Sequence, residues 1–240
     1  NRLLSQAISF YGEPGENASS KVPKSKKIST INTKSYKSIL KEKELDELIS
    51  DLNEKSIIAV DTETSSLNPQ EADLIGISIS FSADNSFYIP VGHKDTKCLK
   101  KTLVLKKLKT ILEDASIKKV GQNMKYDFIV FQNHGIELNA IEDTMLLSYT
   151  LDAGNNRHNM DTLSEIHLAH KTISYKDLVG TGKKQLNFSD IDIKSATEYA
   201  AEDADVTLRL YNILSERVSD EKLDKIYEIF EKPMIKILSK

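Results

Sequence analysis

The segment Ile57-Ile-Ala-Val-Asp-Thr-Glu63 joins four consecutive apolar residues to two acidic residues that lie two positions apart. An uninterrupted apolar run is typical of a central β-strand that is covered on both faces. Because side chains alternate along a strand, we expect Asp61 and Glu63 on one face, where the apolar run ends. The ends of strands are common ligand sites in α/β sheets. The pair does not by itself identify a site, because the chain has 36 acidic residues.

The surrounding periodicity predicts an α/β fold. Residues 74–81 and 86–91 are predicted to form a meander with the first strand, through a hairpin turn at residues 83–86. Strands followed by alternating strands and helices indicate a mixed sheet with helices on both faces. The other expected elements are a strand over 118–121 and helices over 45–52, 103–112, 124–134 (ended by Gly135), 144–151 (with Asp143 as N-cap), 161–168 and 196–214, with turns elsewhere between 152 and 194.

Composition limits the class of protein. The chain has 240 residues, 39% of them hydrophobic and 29% charged, which is enough for one sizeable domain with tails. A net charge of −3 argues against nucleic-acid binding through bulk charge alone, although local basic patches are compatible with it. The single cysteine, Cys98, allows no internal disulfide and is typical of a reducing cytosol, so a cytoplasmic location is expected. No apolar run reaches membrane-spanning length, and no membrane partner is expected.

Asp203 lies on the apolar stripe of the predicted helix 196–214, four residues after Tyr199. Glu202 and Asp205 are predicted to lie off that stripe. An ionised carboxylate on a core-facing stripe is costly unless it is paired or bound to metal. Asp203 is therefore either a ligand or a buried acid bonded to the backbone or to a lysine.

Asp127 repeats this pattern in the predicted helix 124–134. It lies within an apolar stripe that includes Met124 and Phe128. Asn123 is expected one turn earlier on the same face. The Asn123 side chain could cap the helix or contact a phosphate or sugar, and the two interpretations are compatible.

The acids on these faces have no predicted counter-charge. No lysine or arginine shares the stripes, so clustered carboxylates would repel one another without a cation. The set has only oxygen donors and lacks histidine and cysteine, which favours Mg²⁺ or Mn²⁺ over zinc. Two such cations can hold a phosphodiester and deliver a water to phosphorus. The predicted cofactor is a pair of divalent cations bound by Asp61, Glu63, Asp127 and Asp203.

Four stretches together carry a resemblance to a known family: Val60-Asp-Thr-Glu-Thr-Ser-Ser-Leu67, Val120-Gly-Gln-Asn-Met-Lys-Tyr-Asp127, Asn156-Arg-His-Asn-Met-Asp-Thr-Leu163 and Tyr199-Ala-Ala-Glu-Asp-Ala-Asp-Val-Thr-Leu208. Between about residues 57 and 214 the chain resembles the 3′–5′ proofreading exonuclease domain of bacterial DNA polymerase I, a family A polymerase, and thus the tyrosine subclass of DEDD exonucleases. The resemblance implies a ribonuclease H-like 3′–5′ exonuclease fold, with a mixed central sheet flanked by helices. The first 35 residues contain glycine, proline and lysine without an apolar period and are interpreted as a linker; the resemblance adds an exonuclease domain (36–218) and the start of a polymerase region (219–240).

The resemblance also implies catalytic roles. Asp61, Glu63 and Asp203 would hold the first cation. Asp61 would bridge to the second cation, with Asp127 close to that site through water. Tyr199 would orient the attacking water.

Five further residues would contact the nucleic acid on the same resemblance. Leu67 would wedge beside the terminal bases, and Gln122 and Asn123 would contact the 3′-terminal nucleotide. Arg157 would meet the phosphate backbone. Tyr175 falls where the family often has an aromatic residue suited to stacking on an unpaired base.

The implied activity is removal of nucleoside monophosphates from a single-stranded or frayed 3′ end of DNA, beside the polymerase domain of a parent chain. Polymerase activity is not expected from these residues. One alternative is an RNA-processing exonuclease of the same subclass; the polymerase-like C-terminal stretch favours DNA. The other is a non-catalytic structural domain of a polymerase; the complete set of four acids and the tyrosine favours an enzyme.

Overall fold

A six-stranded mixed sheet forms the centre of the protein, in the order β1-β4-β3-β2-β5-β6. The computed structural model describes residues 31–239, so most of the predicted linker over 1–35 lies outside the described residues. The α/β class is as predicted. The strands are β1 (Lys37–Ser38), β2 (Ile57–Thr64), β3 (Leu74–Ser82), β4 (Asn85–Pro90), β5 (Lys118–Gly121) and β6 (Ile141–Asp143).

The predicted meander of β2, β3 and β4 is confirmed. The three strands pair antiparallel, and β3 and β4 are joined by a two-residue turn in which Asp84 has a φ of 60°. β5 and β6 extend the sheet in parallel pairing from β2. β1 pairs parallel with β4 at the other edge. Neither β1 nor β6 was predicted, because two or three residues are too few to show an alternating pattern.

Two helical layers cover the sheet. Ile58 and Val60 of β2 pack into a core with α1, α2 and α3, whereas Ala59 packs on the opposite face with α4, α5 and α7. No helix within residues 31–239 has the length and apolar character needed to cross a bilayer. The helices are α1 (Glu42–Asn53), α2 (Lys101–Glu113), α3 (Lys125–Asn133), α4 (Thr144–Asp152), α5 (Met160–Leu168), α6 (Tyr175–Val179), α7 (Ile193–Asp220), α8 (Asp224–Ile226) and α9 (Pro233–Ile237).

Helix α7 is longer and more enclosed than predicted. It has 28 residues and lies between β2, β3 and β4 on one side and α4, α5 and α6 on the other. The prediction that Glu202 and Asp205 lie off the buried stripe is wrong, since they are only 1% and 0% exposed. Glu202 accepts hydrogen bonds from His170 and the backbone N–H of Ile173. Residues 200–208 of α7 are all buried, so this stretch has no polar face, and Glu202 and Asp205 are held by hydrogen-bond partners instead.

The C-terminal segment packs on the sheet edge formed by β6. After α8, a π-helical turn (Tyr227–Glu231) leads into α9. The buried Tyr227 hydroxyl donates to Glu142 over 2.9 Å and accepts the backbone N–H of Asp143 over 3.1 Å. Lys232 donates to the other carboxylate oxygen of Glu142 over 2.9 Å. The predicted polymerase region over 219–240 therefore contacts the sheet directly as far as it is described.

Candidate active site

Strand β2 carries the first two acids inside the sheet. It continues to Thr64, so Asp61 and Glu63 both lie among its last four residues, as predicted from the end of the apolar run. Pairing with β3 continues past both acids, with Asp61 opposite Ser78 and Glu63 opposite Gly76, and this pairing supplies backbone hydrogen bonds that prolong the strand. Pairing with β5 stops at Ala59. Both acids therefore lie beyond the end of β5.

Asp61, Glu63 and Asp203 form one carboxylate cluster. Each offers an oxygen, and these three oxygens lie within 4.8 Å of one another. Burial raises the pKa of all three carboxyls, and neighbouring negative charges raise it further. Within the described part of the chain, no lysine or arginine pairs with any of them. An oxygen-only set without a protein counter-charge fits a hard divalent cation.

Asp127 reaches this region from the opposite helical layer. Thr62, between the two acids of β2, faces α3 because strand side chains alternate. Its backbone N–H and hydroxyl both donate to one oxygen of Asp127, over 3.0 and 2.5 Å. Burial, and then the charge of Asp61, raise the pKa of the Asp127 carboxyl. Asp127 is thus beside the cluster of three but is not one of its members.

Tyr199 lies one turn before Asp203 on α7. Burial raises the pKa of its phenol, and the charges of Asp203, Glu63 and Asp61 raise it further. The hydroxyl therefore stays protonated at neutral pH and can donate a hydrogen bond. Its ring contacts that of Tyr175, with centroids 5.9 Å apart. The predicted water-orienting and base-stacking residues are neighbours.

The residues predicted to contact nucleic acid include several exposed side chains. Leu67 is 95% exposed, and Tyr175 is 39% exposed. Arg157 is also exposed. The loop of Leu67 is fixed by the Tyr126 hydroxyl, which donates to the carbonyl of Ser66. Leu67 and Tyr175 are therefore free to pack against a substrate.

Asn123 does not cap α3 with its side chain, so the capping interpretation is wrong, while the contact with a phosphate or sugar stays a prediction. Its φ of 62° places it before the helix in a left-handed conformation, and its side chain is exposed. Asp143 binds the two residues that precede α3, accepting the N–H groups of Asn123 and Met124 over 3.1 and 2.9 Å. Asp143 also accepts from Met145, which confirms it as the N-cap of α4. Burial raises the pKa of Asp143 to about 6 despite these donors.

The Gln122 side chain is bound to protein atoms on both sides. Its Nε2 donates to the carbonyl of His158 over 2.8 Å, and its Oε1 accepts from the Thr144 hydroxyl over 2.5 Å. His158 follows Arg157 in the chain. Gln122 therefore fixes the loop that carries Arg157.

Comparison with known families shows to which family the chain belongs. A family model described as 3′-5′ exonuclease matches residues 36–219. The chain belongs to this 3′-5′ exonuclease family. The exonuclease is accordingly a hydrolase that acts on nucleic acids.

Curated relatives place similar sequences within DNA polymerase I. The exonuclease is 41% identical over 217 residues to DNA polymerase I of Rhizobium leguminosarum, covering 82% of this chain and 21% of that protein. It is 39% identical over 214 residues to DNA polymerase I of Borreliella burgdorferi, covering 88% and 23%. The chain thus spans between a fifth and a quarter of the length of these relatives.

Solved structures confirm the ribonuclease H-like fold of the exonuclease. Escherichia coli RNase D superposes with a TM-score of 0.64 at 20% identity, covering 85% of this chain and 50% of that one. Brucella melitensis NrnC superposes with a TM-score of 0.60 at 23% identity, covering 79% and 84%. At these identities the likeness concerns the fold alone.

Two contributors to the exonuclease site were missed from the sequence. Thr62 lies between the two acids of β2, and alternation could have placed it toward α3. Phe188 is only 1% exposed and contacts the Tyr199 ring, with centroids 6.0 Å apart. It falls in a segment interpreted as turns, where no periodicity marks a buried aromatic residue.

Proposed function

We propose that this exonuclease removes nucleoside monophosphates from the 3′ ends of DNA and proofreads within a DNA polymerase I. The observation that carries the proposal is the cluster of Asp61, Glu63 and Asp203 beside the protonated Tyr199. The 39–41% identity to two DNA polymerase I sequences supports DNA as the substrate. In this role the exonuclease would act on the bacterial chromosome in the cytoplasm, next to a polymerase domain of the same parent chain.

The residues divide the chemistry among them. Asp61, Glu63 and Asp203 would hold one Mg²⁺ or Mn²⁺, and Asp61 with Asp127 would support a second. Bound cations of this kind supply an acidified water and neutralise charge on the phosphate. Tyr199 donates its hydroxyl hydrogen bond to the attacking water and so fixes the direction of attack. No protein nucleophile is required.

The substrate enters as unpaired nucleotides. Leu67 and Tyr175 offer exposed apolar surface for bases, and Arg157 offers charge for a phosphate. Gln122 and Asn123 are placed at the start of α3, where the terminal nucleotide would sit. Because a duplex end must open first, at about 1–2 kcal/mol per step, mispaired ends should enter more readily than paired ones.

A second candidate is an RNA-processing exonuclease, since RNase D shares the fold. The same carboxylates and tyrosine would serve RNA equally well. The curated relatives favour DNA. The substrate comparison below separates the two candidates directly.

The test uses 5′-labelled single-stranded DNA, matched duplex, duplex with a mismatched 3′ end, and single-stranded RNA, each with Mg²⁺ at fixed salt. We expect stepwise shortening from the 3′ end, fastest on single-stranded DNA and faster on mismatched than on matched ends. EDTA should abolish it, and Asp61→Ala should be inactive although its melting curve shows that it remains folded. Faster digestion of matched duplex would contradict the entry of unpaired ends, and faster digestion of RNA would replace the DNA assignment.

A further inference from the structure

One buried ring connects the two tyrosines of the proposed site. Phe188 stacks on Tyr175 with their planes 4° apart and their centroids 6.5 Å apart. The same ring lies 6.0 Å from Tyr199 at an angle of 58°. Tyr175 and Tyr199 also touch each other. The three rings therefore cannot move independently.

A second set of contacts fixes Phe188 from behind. His93 and Tyr88 approach its ring edge-on, with centroids at 5.7 and 6.3 Å. His93 in turn bonds the carbonyl of Ile191 over 3.1 Å and the Tyr88 hydroxyl over 2.8 Å. The backbone N–H of Lys94 donates to the carbonyl of Ser189 over 3.0 Å. The turn that carries Phe188 is thus tied to the loop after β4.

We propose that Phe188 is a positioning residue that holds both Tyr199 and Tyr175 in place. The stacking of a base on Tyr175 and the orientation of the water by Tyr199 then both depend on one buried ring. The inference rests on the proposed function. With Phe188 in place, the stacked Tyr175 ring presents one face toward solvent and a base. The tilted contact holds the Tyr199 ring beside the carboxylates. Apart from their contact with each other, Phe188 is the aromatic neighbour of both tyrosines among the residues that the structure describes.

Replacing the ring separates this role from simple packing. Phe188→Leu should lower kcat about tenfold through Tyr199 and raise KM about threefold through Tyr175, the scale at which small misplacements of reacting groups act. Phe188→Tyr keeps the ring and should restore most of both values. Phe87→Leu is the matched control, because Phe87 stacks on Phe81 and touches no residue of the site. It should leave kcat and KM unchanged.

Two double-mutant cycles on single-stranded DNA with Mg²⁺ decide the matter. In a Tyr199→Phe background, which has already lost the water-orienting hydroxyl, Phe188→Leu should no longer change kcat. In a Tyr175→Ala background it should no longer change KM. Additive effects in both cycles would overturn the inference, because a general packing defect acts equally in every background.

Control measurements distinguish a loss of folding from a loss of catalysis, and a failure of the proposed function from a failure of the role of Phe188. Melting temperatures of all variants are measured, and the kinetics are run at least 15 °C below the lowest one. If Phe188→Leu does not fold, Phe188→Met, which keeps side-chain bulk without a ring, takes its place in both cycles. A wild-type protein that shortens no 3′ end would refute the proposed function itself, whereas an active wild type with additive cycles would refute only the role of Phe188.

Discussion

The backbone N–H and the hydroxyl of Thr62 both donate to the same carboxylate oxygen of Asp127, over 3.0 and 2.5 Å. This pair joins the strand that carries two cluster acids to the helix of the opposite layer. Asp127 is buried, and its carboxylate is oriented by these two donors. The place of Asp127 beside the cluster therefore depends on Thr62, a residue that has no carboxylate of its own.

The first prediction concerns this orientation. Thr62→Val keeps the side-chain shape and the backbone donor but removes the hydroxyl, so Asp127 should lose part of its alignment. We expect kcat to fall roughly three- to tenfold, which is less than for Asp127→Ala. Thr62→Ser retains the hydroxyl and should stay close to the wild-type rate. Equal rates for the valine and serine variants would show that the hydroxyl does not orient Asp127.

The second prediction concerns charge repulsion in the cluster. Burial and neighbouring charges raise the pKa of the Asp203 carboxyl in the folded protein. Protonation of such a group stabilises the fold at low pH, and this stabilisation is lost as the pH rises from the unfolded pKa through the raised folded value. In EDTA at pH 8, Asp203→Asn should therefore melt higher than the wild type, by about 2–4 °C per kcal/mol of repulsion removed. The difference should shrink at pH 5.

Calorimetric melting of the wild type and Asp203→Asn, with and without Mg²⁺, tests whether a cation binds at the cluster. Adding Mg²⁺ should raise the melting temperature of the wild type by preferential binding to the folded state. Asp203→Asn, which lacks one ligand, should shift much less. Tyr199→Phe is the control, since it removes no carboxylate and should keep the wild-type shift. An equal Mg²⁺ shift in all three proteins would argue against a cation at the cluster.

The third prediction contrasts Asp203 with Asp205. Asp205 is fully buried and accepts from the Tyr36 hydroxyl over 2.8 Å and from Arg209 over 3.1 Å. Removing one member of a buried charged network costs about 3–5 kcal/mol. Asp205→Ala should therefore lower the melting temperature, while the protein that remains folded keeps its kcat. Asp203→Ala should abolish activity without this loss of stability. Melting temperatures and single-turnover rates of both variants together distinguish the structural role of Asp205 from the catalytic role of Asp203.

The fourth prediction concerns Gln122, whose side chain bonds His158 and Thr144. Gln122→Ala should release the loop of Arg157 and raise KM for single-stranded DNA. If the effect passes through that loop, Arg157→Ala and the double variant should have the same KM, because the contact is already lost. A further increase in the double variant would instead indicate that Gln122 touches the nucleotide directly.

The parts of the site that follow regular periodicity could be predicted from the sequence. Alternation placed Asp61 and Glu63 on one face of β2, and the apolar stripe of α7 placed Asp203 toward the sheet. The same stripe wrongly predicted that Glu202 and Asp205 are not buried. The middle of α7 is enclosed by two layers, so every face of the helix is buried there. The interpretation of Asn123 as a helix cap was wrong for a different reason. Its left-handed φ is a property of one residue and leaves no pattern in the sequence.

Tertiary contacts between distant segments explain the remaining misses. The three-residue strand β6 exists through its parallel pairing with β5, and its own sequence shows no alternation long enough to identify it. Phe188 became buried because the loop after β4 and helix α7 close around it. Neither contact has a local signature, so the resemblance to a family predicted the candidate site residues but not the residues that support them.

Helix α7 carries Tyr199, Glu202, Asp203 and Asp205, and each of these residues meets a different part of the protein. Every residue added to a helix turns the following ones by 100° and advances them by 1.5 Å. One inserted residue between Tyr199 and Asp203 would turn one of them away from the cluster while shifting the buried partners of Asp205 out of reach. Homologues that keep the nuclease activity should therefore keep the length between Tyr199 and Asp203, and an insertion or deletion there should mark a chain that has lost it.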